Sequence, residues 1–199
     1  TPIPVPSPPI EREALSTEPQ HVWDLVEAAI AVRPPEPPSE ATHEAVQAWA
    51  EGPFAAWITR RVEATSAAEE ALLPLEGAPP YERGIAAGLI GYLHEDTAAD
   101  VRGAPIEQGI ADDPELLQAY SDAMTAALHP FAERSVQAYR FCSAAFDEVG
   151  DSAWEEWASY CDDRAQEVIE VFRVESGESA APAPAPAETQ PATTEASGG

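Results

Sequence analysis

Apolar residues recur along the middle of this chain at steps of three and four, the period of a helix with one buried face. Behind a Ser16/Thr17 cap, Val22, Leu25, Val26 and Ala29 form one stripe, which predicts a helix over about 18–32. Pro34, Pro35, Pro37 and Pro38 end it, because the residue before a proline is pushed out of the helical region. A second helix is expected after Ser39 and as far as Glu51, with Val46 and Trp49 inward. Gly52-Pro53 is expected to stop it and open a third, carrying Phe54, Trp57, Ile58 and Val62 toward the core. Pro74, Pro79 and Pro80 frame a loop, and a fourth helix follows from about Tyr81 to Val101.

The most regular stripe comes next. Leu117, Tyr120, Met124, Leu128, Phe131, Ser135, Tyr139, Cys142 and Phe146 step by three, four or seven. Asp112 or Asp113 caps this fifth helix, with Pro114 and Glu115 in its first turn. Pro130 lies inside it and predicts a kink near Ala126–Leu128. Val149-Gly150-Asp151 reads as a tight turn into a sixth helix with Trp154, Trp157, Cys161, Ala165, Val168 and Phe172. Alternating strand patterns are lacking. The expected fold is all-α: antiparallel helix hairpins, about six helices, in a regular array or an irregular bundle.

The ends have another composition. Residues 1–9 place Pro at 2, 4, 6, 8 and 9, and 177–199 are Ala, Pro, Thr, Ser, Gly, Gln and Glu. Such segments bury too little apolar surface to offset the entropy of ordering. The expected organisation is a Pro-rich linker over 1–15, one helical domain over 16–176 and a disordered tail over 177–199.

Cys142 and Cys161 are the only cysteines. The midpoint between them falls in the predicted turn at 151–152, so an antiparallel hairpin brings them to the same height. Both also lie on apolar stripes. A disulfide is expected if the Cα atoms approach within about 4.4–6.8 Å. The other readings are two reduced cysteines serving as small apolar residues, or a redox or metal role. A disulfide points to an oxidising compartment.

Charge narrows the function. The chain of 199 residues carries 36 acidic and 10 basic residues, a net −26. All the basic residues are Arg, and neither Lys nor Asn occurs. That absence fits a GC-rich coding sequence, and the acidity also suits salt adaptation. The tail holds three Glu and no Arg and the first 15 residues a net −1, so −22 falls on 16–176. Nucleic-acid binding draws its affinity from neutralised phosphates, so no nucleic-acid partner is expected. Anionic membranes are disfavoured likewise. No stretch approaches the ~20 apolar residues of a membrane span. The chain begins at Thr1 and its one Met is Met124. That leaves room for a leader, a lipid-anchor segment or a further domain ahead of it, and is compatible with export.

Catalytic and cofactor signatures are missing from the sequence. The histidines His21, His43, His94 and His129 do not form a zinc helix, and no phosphate loop, nucleophile elbow or dinucleotide fingerprint occurs. Cys142 and His129 make a poor nucleophile pair, and Glu69-Glu70 and Glu155-Glu156 point apart on their helices. No catalytic residue, resident metal or cofactor is expected. One metal alternative uses His94, Asp96 and Asp100; the plainer reading is a solvated acidic helix surface. Gly84, Gly88 and Gly91 share one side of the fourth helix. Each costs about 1 kcal/mol against Ala, so the stripe calls for a packing reason. It serves either close packing within the domain or a groove for a partner's helix or peptide.

Residues of about 103–172 carry a recurring order of features. These are Ala104-Pro105-Ile106, Tyr120, His129-Pro130-Phe131, Ala138-Tyr139-Arg140-Phe141-Cys142, Gly150, and Trp154 through Trp157 to Cys161. That order resembles a module of tetratricopeptide-like envelope proteins of myxobacteria. It departs from true tetratricopeptide repeats, since no 34-residue period is present. The resemblance implies that the hairpins form a tetratricopeptide-like (TPR-like) array, in a lipoprotein-like or secreted helical scaffold that binds other envelope proteins, and it carries over no catalytic residue. The expected function is therefore a non-enzymatic scaffold or adaptor in the bacterial envelope, either periplasmic, outer-membrane-associated or extracellular. The alternatives are a small envelope metal binder or enzyme using the His94 region, and a structural spacer without a specific partner.

Overall fold

The computed structural model describes residues 3, 4, 6 and 10–174; the tail expected over 177–199 lies outside them. Among the described residues the fold is all-α, with no strand. Helix α1 spans Thr17–Ala31. Ser16 occupies its N-cap position, yet its hydroxyl does not cap the helix. It donates instead to Glu82 Oε2 at 2.7 Å, and the Ser16 backbone N–H donates to Glu82 Oε1 at 2.8 Å. The buried Glu82 thereby ties the start of α1 to a distant helix.

Helix α2 is His43–Trp49, beginning later than Ser39 because Thr42 Oγ1 accepts from the Ala45 N–H. Gly52-Pro53 does not stop it. A π turn over Ala50–Phe54 leads directly into α3, Ala55–Glu70. Pro53 has no N–H, and the wider turn lets the Ala55 N–H reach back to Ala50 O, so the helical run continues past the proline. On α3 the buried residues are Trp57, Arg61, Thr65 and Ala68, while Val62 is 40% exposed. The stripe is thus one position away from the expected one and includes a charge.

A 3-10 turn over Leu73–Gly77 precedes α4, Pro80–Arg102. This helix is buried on most of its circumference, as expected of a central element with apolar neighbours on several sides. The single turn α5, Gln108–Ala111, leads to α6, Pro114–Val149. Asp113 Oδ1 caps α6 by accepting from Glu115 and Leu116 N–H groups at 2.9 and 3.2 Å. Pro130 sits inside this one 36-residue helix without ending it. Gly150, at φ 65°, terminates α6 in the left-handed conformation, which glycine adopts without a Cβ penalty. A 3-10 turn over Ser152–Trp154 then opens α7, Glu155–Phe172.

The main core joins α1, α4, α6 and α7. A smaller cluster stacks Trp49 on Phe54 and Phe54 on Trp57, with ring centroids 4.3 and 5.2 Å apart. Two expectations about the edges change. The segment before Ser16 is not merely a linker: Ile3 and Leu15 are buried in the main core, and the Tyr160 hydroxyl donates to Pro4 O at 2.8 Å. The α6 stripe is buried only from Leu128 onward, leaving Leu117 36% exposed.

Candidate functional site

Helices α4 and α6 run antiparallel in a fixed register. A Cβ at Gly84 would lie 2.8 Å from the Phe146 ring, one at Gly88 3.3 Å from Cys142 Sγ, and one at Gly91 2.9 Å from Tyr139 Cδ1. The missing side chains let two aromatic rings and the cysteines sit against the α4 backbone. Ser135 Oγ locks the register by donating to Gly91 O at 2.8 Å. The glycine stripe is therefore filled by α6 of the same chain, and the reading of it as a partner's groove is corrected.

Cys142 and Cys161 form a disulfide with their Cα atoms 6.0 Å apart, at the level the hairpin midpoint predicts. Both residues are fully buried, and Gly88 lies beneath them. Phe146 stacks on Trp154 and meets Trp157 at a tilt, at centroid distances of 5.3 and 5.5 Å, on the turn side of the bridge.

One step around α4 from the glycines, the face changes character. Arg83, Ala87, Ile90 and His94 follow at steps of four, three and four. Opposite them, α6 presents Arg134, Gln137, Ala138 and Phe141, and the turn after α3 adds Leu72, Leu75 and Glu76. Together with Glu69 they enclose a groove of about 570 Å³, within the range of ligand sites. Its floor is apolar, and Phe141 stands 50% exposed beside it.

Two of the lining residues, His94 and Arg83, each carry a buried polar atom without a partner among the described residues. His94 is 1% exposed, and its Nε2 lies 2.9 Å from Glu69 Oε1. Burial, outweighing the help from Glu69, pushes its pKa below the usual value, so the ring is neutral at pH 7. The proton then belongs on Nε2, donating to the Glu69 carboxylate, and Nδ1 is left as an acceptor. Nδ1 has no partner among the described residues. Glu69 also accepts from Arg134 Nη1 at 3.2 and 3.3 Å. Arg83 Nη2 donates to Glu148 Oε2 at 2.8 Å, while Arg83 Nε is buried without a partner among the described residues.

The metal alternative meets a different geometry. Asp96 and Asp100 do share a face, but they converge on Arg61, which donates from Nη2 at 2.9 and 2.8 Å. His94 is turned to Glu69 instead. The region is not the solvated acidic surface expected from sequence. The Arg61 side chain is fully buried, its guanidinium 5.5 Å from the Trp57 ring centre. Burial first, and Asp100 second, raise the Asp96 pKa against the pull of Arg61. Among the described residues no group of three or more His, Cys, Asp or Glu is arranged to hold a metal ion.

Arg61 is the neighbour that sequence reasoning passed over, and Glu69, read there only as one of two carboxylates pointing apart on a helix, is bonded to His94 and Arg134. The signal for Arg61 was its place between Trp57 and Thr65 at steps of four. Arginine elsewhere follows the same use: Arg33 with Asp96, Arg83 with Glu148, Arg134 with Glu69 and Arg164 with Glu95 all join different elements. No helix is long and apolar enough to cross a membrane among the described residues. No protein-family model, curated protein or solved structure matches the chain significantly.

Proposed function

We propose that this chain is a non-enzymatic helical adaptor domain of the bacterial envelope that binds another protein through the groove between α4 and α6. The observation that carries this reading is the groove itself: an open apolar trough set on two helices whose spacing is fixed by glycine packing and a disulfide. Rigid walls lower the ordering cost of binding. The disulfide supports an oxidising compartment, since such bridges rarely persist in the cytosol. The resemblance of residues 103–172 to tetratricopeptide-like envelope proteins supports the same placement, and it covers the α6–α7 hairpin.

Crosslinking in the envelope fraction, followed by capture of the full chain, tests the reading. One reproducible crosslinked protein is the expected result. Recovery of nothing beyond background would leave a structural spacer and overturn the adaptor function.

A further inference from the structure

We propose that the outer face of α7 around Tyr160 is a binding surface for proline-rich segments. Ile3, Pro4 and Pro6 of this chain occupy it as an internal ligand, and a proline-rich segment of another protein displaces them when Arg or Lys residues follow its last proline. This surface shares no residue with the groove between α4 and α6, and the proposal does not rest on that groove.

The period of the segment gives the class of ligand. Proline fixes φ near −65°, and prolines at 2, 4 and 6 favour the polyproline II helix, which repeats every three residues. Ile3 is nine-tenths buried in the main core, Pro4 is exposed, and Pro6 is half-buried beside α7. Positions 3 and 6 therefore face the domain together, as a repeat of three requires. A strand, with its repeat of two, would set 4 and 6 on one side and 3 on the other.

The receptor suits a backbone with few N–H groups. Prolines leave only carbonyls to be satisfied, and the Tyr160 hydroxyl donates to Pro4 O at 2.8 Å. Within α7 the carbonyls are already bonded along the helix, so it offers few acceptors to an ordinary extended peptide. Aromatic surfaces that take stiff, proline-rich segments are a recurrent mode of recognition. Tyr160 is itself held edge-on by Tyr139 and Trp157, with ring centres 6.3 and 6.4 Å away. A donor fixed in advance lowers the ordering cost of binding.

Local charge separates the internal ligand from a foreign one. Exposed Glu155, Glu156 and Asp163 stand around Pro6 in an open hollow of about 500 Å³. The nearby arginines are engaged elsewhere, Arg164 by Glu95 and Glu167 and Arg12 by Asp24 and Glu27. Residues 1–10 contain no Arg or Lys. The internal ligand thus meets the apolar and hydrogen-bonding parts of the surface and leaves its three carboxylates without a cation. It also competes at an effective concentration on the order of millimolar, so a foreign segment needs the added ion pairs to displace it.

Fluorescein-labelled peptides titrated by fluorescence polarisation into full-length chains test the proposal. The first peptide copies residues 1–10, and the second carries Ser7→Arg, Pro8→Arg and Pro9→Arg. A third keeps those arginines and replaces Pro2, Pro4 and Pro6 by Ala. The receptors are the wild-type chain and the release variants Ile3→Asp and the milder Ile3→Ala, each checked for a cooperative thermal transition. The copied peptide is expected to bind a release variant at least tenfold tighter than the wild-type chain. The arginine peptide is expected to bind every chain about tenfold tighter than the copied one, an advantage lost at about 1 M salt. The alanine peptide is expected to bind at least tenfold more weakly than the arginine peptide. Adding Tyr160→Phe to Ile3→Asp is expected to weaken binding about three- to tenfold, the loss of one hydrogen bond. Equal binding of the copied peptide to wild-type and both release variants, or none to either variant, would overturn the proposal. So would equal affinity of the alanine and arginine peptides, which would mean that acidity alone is read, or an unchanged affinity with Tyr160→Phe. Concentration-dependent dimers of the wild-type chain that Ile3→Asp abolishes, seen by sedimentation, would assign the surface to a second copy's N-terminal segment and overturn the foreign partner.

Discussion

Gly91 of α4 lies so close to Tyr139 of α6 that a Cβ at position 91 would be 2.9 Å from Tyr139 Cδ1. Tyr139 cannot retreat freely. It is fully buried, and its hydroxyl donates to Glu95 Oε2 at 2.9 Å. Arg164 holds that same carboxylate from α7. Gly91→Ala is therefore expected to destabilise, the overpacking cost of about 1–3 kcal/mol exceeding the helix-propensity gain of about 1 kcal/mol. Gly52→Ala is the control, since nothing lies within 4 Å of a Cβ there. It is expected to stabilise by up to about 1 kcal/mol. Thermal melts of the two variants check both signs.

The disulfide closes a loop with a sequence separation of 19. Constraining that loop in the unfolded chain contributes about 3 kcal/mol. Reductant, or the pair Cys142→Ala and Cys161→Ala, is expected to lower the denaturation midpoint accordingly. Alkylation of the unfolded protein without reductant is expected to leave its mass unchanged; two added alkyl groups would show that the bridge is absent.

Arg61 is a buried cation set between two carboxylates and an indole. Arg61→Met is expected to cost about 3–5 kcal/mol, because Asp96 and Asp100 lose the cation they share and Asp96 keeps only the more distant Arg33, 3.9 Å away. Adding Asp96→Asn and Asp100→Asn to the same chain is expected to recover much of the loss. Urea unfolding of the single and triple variants measures it. Equal stability of the two would count against the charge account.

His94 makes stability depend on pH. Its folded pKa lies below the ordinary 6.5 because burial disfavours the cation. Above 6.5 the ring is neutral in both states and costs nothing. As pH falls below 6.5, the unfolded chain binds the proton and the folded chain does not, so stability drops. His94→Gln is expected to flatten that drop between about pH 7 and 5.5. The difference between the two curves isolates His94, because His43, raised by Glu107, contributes the opposite sign to both. Parallel curves would exclude a buried neutral His94.

Self-repulsion of the acidic surface is expected to make the fold salt-sensitive. The melting temperature is expected to rise from low to physiological salt, as screening weakens repulsion among carboxylates. A flat or falling trend would mean that the inter-helix arginine pairs dominate instead.

The sequence by itself determined the helices of this protein and the meeting of its cysteines. Both are local consequences of period and turn placement: Cys142 and Cys161 lie on apolar stripes at equal heights about the turn at 151–152. It also determined the acidity, which is only a count. Tertiary structure decided what each stripe faces. The glycines at 84, 88 and 91 asked for a close neighbour, but only packing shows that the neighbour is α6 of the same chain. Val62 and Arg61 are adjacent on α3, and apolarity alone favours burying valine; the carboxylates of Asp96 and Asp100 reverse that choice. Gly52-Pro53 reads as a stop because a proline removes a helical hydrogen bond, yet a π turn carries the helix through. The groove was illegible for the same reason. Arg83 and Ile90 lie on one helix, Phe141 on another and Leu75 in a turn, and no period in the chain relates three separate elements. Only the fixed register of α4 on α6 brings them to one trough.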